Sequence, residues 1–174
     1  IKDMKRIREI VVVLFVFVFV LCDSVGANGM GGSIIIDNAI DGKMYTIYKM
    51  LDLESFDGDN YSYKISSSEW DEFFDSGDGR FYFDVNSNGG VAFVGDEQSM
   101  DLVAQSALAY AKSHESITKK SQRAVGGIVE FKDLDLGYYL VDSSVGVLCG
   151  LTTTNYVVRV EEKNEKPTLS KYVK

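Results

Sequence analysis

The sequence predicts a mainly β fold, a β-sandwich with two short helices set into its connections. Two observations carry that expectation. Short runs rich in Val, Ile, Tyr and Phe recur along the chain between Asp, Asn and Gly turns. Two other stretches place apolar residues at helical spacing. No internal repeat and no low-complexity tract competes with this reading, and the count and spacing of strands suit a sandwich.

The elements follow in order. Residues 33–37 are a short β-branched run, closed by the turn Asp41-Gly42. Residues 44–51 alternate enough for a strand, with Tyr45, Ile47 and Met50 on mixed faces, and Asp57-Gly58-Asp59-Asn60 turns the chain into a strand over 61–65. A helix starts near Ser68 and carries Trp70, Phe73 and Phe74; Trp70 is expected to be buried. Strands over 81–85 and 91–94 are joined through Asn86-Ser87-Asn88-Gly89-Gly90, a hairpin signature. A second helix starts at Ser99 with Leu102, Val103, Leu108 and Ala111 expected on one stripe. Strands over 127–131, 137–142 and 155–160 complete the set.

The head of the chain reads as an export signal. Lys2, Lys5, Arg6 and Arg8 precede an unbroken apolar run over 10–21, too short for a span of about 20 residues. Val25-Gly26-Ala27 then offers small residues before a cut between Ala27 and Asn28. An N-terminal anchor helix is the other reading. A lipoprotein anchor at Cys22 is disfavoured because Asp23 follows it. Residues 1–27 are therefore set aside as a signal peptide, and contact with membrane is expected only during export.

What remains is one domain's worth of chain, long enough to bury a core. Residues 28–174 hold 14 basic and 23 acidic side chains, net −9, which argues against nucleic acid and anionic lipid as partners. Cys149 alone makes no internal disulfide, so this is no cystine scaffold.

Chemistry-bearing motifs are few. Asp84-Val85-Asn86-Ser87-Asn88-Gly89 imitates the first half of a calcium loop, but its twelfth position is Gly95 rather than Glu and strands flank it, so a hairpin turn is the better reading. His114 is the only histidine, which leaves no histidine cluster for zinc and no evident Ser-His-Asp triad. It suits the end of the second helix, where a cation favours the dipole. Asp133 with Asp135, and Asp71 with Glu72, read as solvated faces. The Tyr and Phe content suggests core first and a glycan or protein contact surface second. No Gly-rich run opens a helix to cradle phosphate, so no enzyme activity, cofactor or metal is expected.

Three blocks carry a resemblance. They are Gly32-Ser33-Ile34-Ile35-Ile36 with Gly42-Lys43-Met44-Tyr45-Thr46-Ile47-Tyr48-Lys49-Met50-Leu51-Asp52-Leu53; Phe131, Leu134 and Gly137-Tyr138-Tyr139-Leu140-Val141-Asp142; and Lys163-Asn164 ahead of Pro167 and Lys171. Together, after a signal peptide, they resemble the N-terminal domain of Gram-positive sortase-assembled fimbrial (pilin backbone) proteins, over essentially all of 28–174. The resemblance implies an immunoglobulin-like module of the collagen-adhesin B type over 28–164. It also implies a linker and the first strand of a following module over 165–174, where the chain is cut short. Such modules stack into pilus shafts and adhesin stalks on the cell wall.

Two chemistries come with the family. A sortase joins the C-terminal threonine of one pilin to a lysine near the end of another's N-terminal domain, in a Tyr-Pro-Lys-Asn motif. The matching residues here are Glu161-Glu162-Lys163-Asn164, so Lys163, with Asn164, is the candidate acceptor. Tyr-Pro has become Glu-Glu, and flanking carboxylates favour the unreactive ammonium, so a solvated charge run closing a strand is the competing reading. The second chemistry is a spontaneous Lys–Asn isopeptide bond within each module, its lysine on the first strand. The first strand here has none; Lys43 lies past the turn and Lys49 on the next strand. The resemblance thus implies no such bond in this domain and offers Lys171 as the candidate of the following module.

The resulting expectation is a non-enzymatic structural module of a cell-surface pilus, joined covalently to other pilin subunits. A wall-anchored monomeric adhesin that contacts a host protein or glycan is the alternative. An accessory domain of a secreted enzyme is a third.

Overall fold

Alternating apolar residues in the first strand need a covered face, and the fold gives them one between two sheets. The computed structural model describes residues 31–58, 60–143 and 146–162. The expected cut between Ala27 and Asn28, and Lys163, Asn164 and Lys171, lie outside these residues. In chain order the strands are β1 (Gly32–Asp37), β2 (Met44–Asp57), β3 (Asn60–Ile65), β4 (Phe83–Val85), β5 (Gly90–Phe93), β6 (Lys119–Arg123), β7 (Ile128–Leu134), β8 (Gly137–Asp142), β9 (Val147–Leu151) and β10 (Val157–Glu161). The helices are α1 (Asp71–Asp75), which continues a 3-10 turn at Ser68–Trp70, and α2 (Ser99–Ser113). The protein is mainly β, a sandwich with its helices in the connections.

The smaller sheet has the order β10-β1-β7, with β1 parallel to β10 and antiparallel to β7. The larger runs β4-β5-β3-β2-β8-β9. β2 is its spine: β8 pairs along one edge, while β6 and then β3 pair along the other. Period-two alternation turns Ile34, Ile36, Val129, Phe131, Val158 and Val160 inward from the small sheet. They meet Tyr45, Ile47, Val141 and Cys149 from the large one.

The other face of the large sheet is covered as well. Tyr48, Met50, Leu140 and Leu148 pack beneath Trp70, Phe73 and Phe74 and the buried side of α2. The molecule is therefore three layers deep, and its central strands are apolar on both faces. Trp70 is buried as expected, in edge contact with Phe73 at 5.8 Å between ring centres.

Two local features close the corners. The Tyr139 hydroxyl donates to the Asp135 carbonyl four residues upstream at 2.7 Å, the tyrosine-corner arrangement of immunoglobulin-like sandwiches. Burial raises the Tyr139 hydroxyl's pKa, helped by the Asp135 and Asp52 charges. Gly137 sits at φ +147°, where a Cβ would come within 2.0 Å of the Leu51 carbonyl oxygen, so the β2–β8 pairing requires glycine there.

Some expectations are corrected. Leu102 faces solvent, and the buried stripe of α2 is Met100, Val103, Ala104, Ala107, Leu108 and Ala111. Phe81 belongs to a 3-10 turn at Asp78–Phe81, and only Phe83–Val85 pairs as a strand. β6 and β9 were not expected. All five β6 residues, Lys-Lys-Ser-Gln-Arg, are exposed, and all five β9 residues are buried, so neither strand shows a two-residue alternation.

Candidate functional site at the exit of the last strand

β10 leads directly to Lys163, so the groups around its last residues define the candidate site. Alternation along β10 makes Val158, Val160 and Glu162 point inward and Arg159 and Glu161 outward. Glu162 is thus a carboxylate at the rim of the inter-sheet core, only 3% exposed. Among the described residues it is the one buried charged residue.

A buried carboxylate must be paired or hydrogen-bonded, and three residues of the first turn meet this demand. The Lys43 ammonium lies 3.5 Å from Glu162 Oε2. The Tyr45 hydroxyl hydrogen-bonds the Glu162 carboxylate while accepting the Ile40 backbone N–H at 2.9 Å. Lys43 also sits 4.8 Å from the centre of the Tyr45 ring. Burial raises the Tyr45 hydroxyl's pKa; the Ile40 hydrogen bond opposes this, and the neighbouring Glu162 charge adds to it.

The backbone and the outer face fix the same strand. Glu162 N–H donates to the Asp37 carbonyl at 2.8 Å, extending the β1–β10 ladder by one bond. Arg159 grips the Asp37 carboxylate through two bonds, at 2.8 and 2.7 Å. Asn38, at φ +53°, donates from Nδ2 to Glu161 Oε1 at 2.8 Å. Both carboxylates before Lys163 are therefore engaged by other partners. Of the expected solvated charge run, Glu161 is solvated and Glu162 is not.

The two lysines considered for internal chemistry lie apart. Lys43 belongs to the Glu162 corner. Lys49 lines an open cleft of about 320 Å³ with Asp52, Glu54, Phe56, Lys64 and Asp135. There it pairs with Asp52 and reaches Asp135 at 4.0 Å. Among the described residues, no group of three or more His, Cys, Asp or Glu is placed to hold a metal ion. The 86–90 segment is a hairpin turn: Asn86 Oδ1 accepts from the N–H groups of Asn88 and Gly90, each at 2.9 Å. His114 caps α2, stacked on Tyr110 at 4.0 Å with Nδ1 2.8 Å from the Tyr110 carbonyl.

Sequence reasoning did not find the part played by Glu162, although the signal was there. Extending the Val158–Val160 alternation by one step puts residue 162 on the core side.

No family model matches the chain, and no curated protein is similar to it at a significant level. Among solved structures, the full-length major pilin SpaD of Corynebacterium diphtheriae is similar, at 18% identity and a TM-score of 0.37. The match covers 76% of this chain and 29% of that one, so the chain spans less than a third of that pilin's length. A superposition of that quality assigns no function. No helix among the described residues is long and apolar enough to cross a membrane.

Proposed function

We propose that the chain is a non-enzymatic structural module of a cell-surface pilus, the N-terminal domain of a sortase-polymerised major pilin, displayed at the cell wall after export. The sequence resemblance motivates this reading. The observation that carries it is the pinned end of β10. Glu162 is anchored by Lys43, Tyr45 and Asp37, and Glu161 by Asn38, so the chain leaves the domain at a fixed point immediately before Lys163.

A covalent acceptor benefits from such a fixed exit, because holding the amine at a defined place supplies part of the rate of its attack on an acyl donor. The engagement of both carboxylates also weakens the objection that they hold the Lys163 ammonium charged. Lys171 remains the candidate for the isopeptide bond of a following module. A monomeric wall-anchored adhesin is the second reading, favoured by Glu161-Glu162 standing where the family motif has Tyr-Pro.

Lys163→Ala decides between them. In detergent-boiled wall extract of the source organism, an antibody to this domain should reveal a ladder of high-mass bands that Lys163→Ala collapses, with secretion unchanged. A ladder that survives the substitution removes Lys163 as acceptor. A single wall-released band in the unmodified protein establishes the adhesin.

A further inference from the structure

The acidity of this chain is concentrated in one excursion. Between residues 66 and 101 lie Glu69, Asp71, Glu72, Asp75, Asp78, Asp84, Asp96, Glu97 and Asp101, against Arg80 alone, for a net charge of −8. The rest of the chain carries 17 side chains of each sign, so this excursion accounts for the whole net charge of −8.

The same excursion leaves apolar surface open. Phe81 is 63% exposed, Phe93 39% and Val94 55%, with Leu102 beside them in sequence. Between the β4-β5-β3 wing and the start of α2 is an open cavity of about 120 Å³, lined mainly by apolar atoms of Met50, Leu51, Phe83, Phe93, Met100 and Leu148. Its floor is sound core, because Phe83 packs on Phe74 and Phe93 at 5.2 and 5.4 Å. Asp84 and Glu97 are exposed, one on β4 itself and the other between β5 and α2.

We infer that this cavity is a docking site for a cationic polypeptide segment that inserts one aliphatic or aromatic side chain between Phe93 and Met100. The charge selects the partner. A neutral or acidic apolar segment gains the same cavity but meets an unopposed negative field, whereas lysines flanking the anchor are drawn in and oriented. An apolar anchor in a closely packed pocket ringed by polar groups is the arrangement that concentrates binding energy in few residues. The site lies on the helical side of the large sheet, away from Glu162, and it does not depend on the pilin reading.

Methionine methyl NMR on the full chain provides the test, since Met50 and Met100 line the cavity while Met44 sits at the far end of β2 opposite Arg123. The probe is the acetylated hexapeptide Lys-Lys-Phe-Leu-Lys-Lys. The expected result is saturable movement of the Met50 and Met100 signals with Met44 stationary, about tenfold weaker at high salt because exposed charges are screened. The double variant Asp84→Lys, Glu97→Lys, checked for an unchanged Met44 signal, should weaken binding by about tenfold or more. The proposal is overturned if millimolar peptide moves neither methyl, or if Glu-Glu-Phe-Leu-Glu-Glu binds equally well. It is also overturned if raising the protein concentration alone produces the shifts, which would make a second copy the occupant.

Discussion

The two faces of the large sheet are covered in different ways. Toward the small sheet, its strands meet a layer of β-branched and aliphatic side chains, with Ile34, Ile36, Leu151 and Cys149 completely buried. Toward the helices they meet rings, methionines and alanines, and this layer stays open at the Phe93–Met100 cavity. The reason lies in the covering elements. Three strands offer paired rows of inward residues at fixed spacing, which interlock with a facing sheet. A single 15-residue helix and a one-turn helix cover the other face incompletely, and aromatic rings span the gap. The closed layer is the one that holds the fold, and the open layer is the one with surface left for a partner.

The largest expected effect tests that difference directly. Ile36→Ala empties space that neighbouring strands cannot collapse into, and should cost about 2–5 kcal/mol. Met100→Ala, at the mouth of a cavity already open, should fall at or below the low end, about 2 kcal/mol. Urea unfolding midpoints at constant m-value measure both. Equal losses would show that the two layers are equally closed, and the contrast would fail.

Next in size is an alkaline effect rooted in the closed layer. Burial pushes the Cys149 thiol from its ordinary 9.0 up to about 12. Above pH 9 the unfolded chain releases this proton while the folded chain keeps it, so the folded state binds more protons and its stability falls as pH rises. The contribution is intact below pH 9 and is lost progressively toward pH 12. At pH 10 the loss is on the order of 1 kcal/mol. Burial of Tyr139 acts in the same direction. The check is the urea midpoint at pH 8 and pH 10 for the parent and for Cys149→Ala; the variant should lose less. A thiol reagent at pH 8 should leave native Cys149 untouched and react once urea unfolds the chain.

How much of this was legible depended on whether a residue's role was local. The first strand, the 57–60 turn, the Asn86 hairpin, the burial of Trp70 and the place of His114 all follow from side-chain pattern or turn chemistry. β9 was hidden because Val-Leu-Cys-Gly-Leu is covered on both faces, which erases alternation. β6 was hidden because its charged side chains are all in water, and only backbone pairing to β2 makes it a strand. The site shows the same divide. Lys163 and Asn164 were picked out by resemblance, whereas the anchoring of Glu162 depends on Lys43 and Tyr45, more than 110 positions earlier, and no short window of sequence joins them.

A smaller effect probes that anchor, which sits at the rim of the closed layer. Glu162→Gln keeps the shape and leaves an acceptor for the Tyr45 hydroxyl but removes the charge opposite Lys43. Lys43 has a side chain 35% exposed, so water screens and partly replaces the lost pairing. The expected cost is about 1 kcal/mol, typical of one hydrogen bond to a charged group discounted for solvent. Glu162→Ala should cost more, because it also leaves the Tyr45 hydroxyl without that acceptor. If Glu162→Gln unfolds the domain, the ion pair dominates the corner. If neither variant moves the midpoint, the end of β10 is held by the Asp37 bonds alone.

The smallest effect separates the inside of the helical layer from its outside. Leu102 and Val103 are adjacent on α2, and sequence periodicity placed both on the buried stripe. Leu102 is 53% exposed and Val103 is fully buried. Leu102→Ser therefore removes apolar surface that folding barely covers, and should shift stability by less than about 0.5 kcal/mol. Val103→Ser, by contrast, puts a hydroxyl among Trp70-side rings and α2 alanines and should cost at least 2 kcal/mol or so. Thermal midpoints of the two variants, measured side by side, fix the rotation of α2 about its axis. A large loss for Leu102→Ser would mean that a surface covers this residue in solution. The acidic excursion would then already have an occupant, and the same variant should abolish it without disturbing the inter-sheet core.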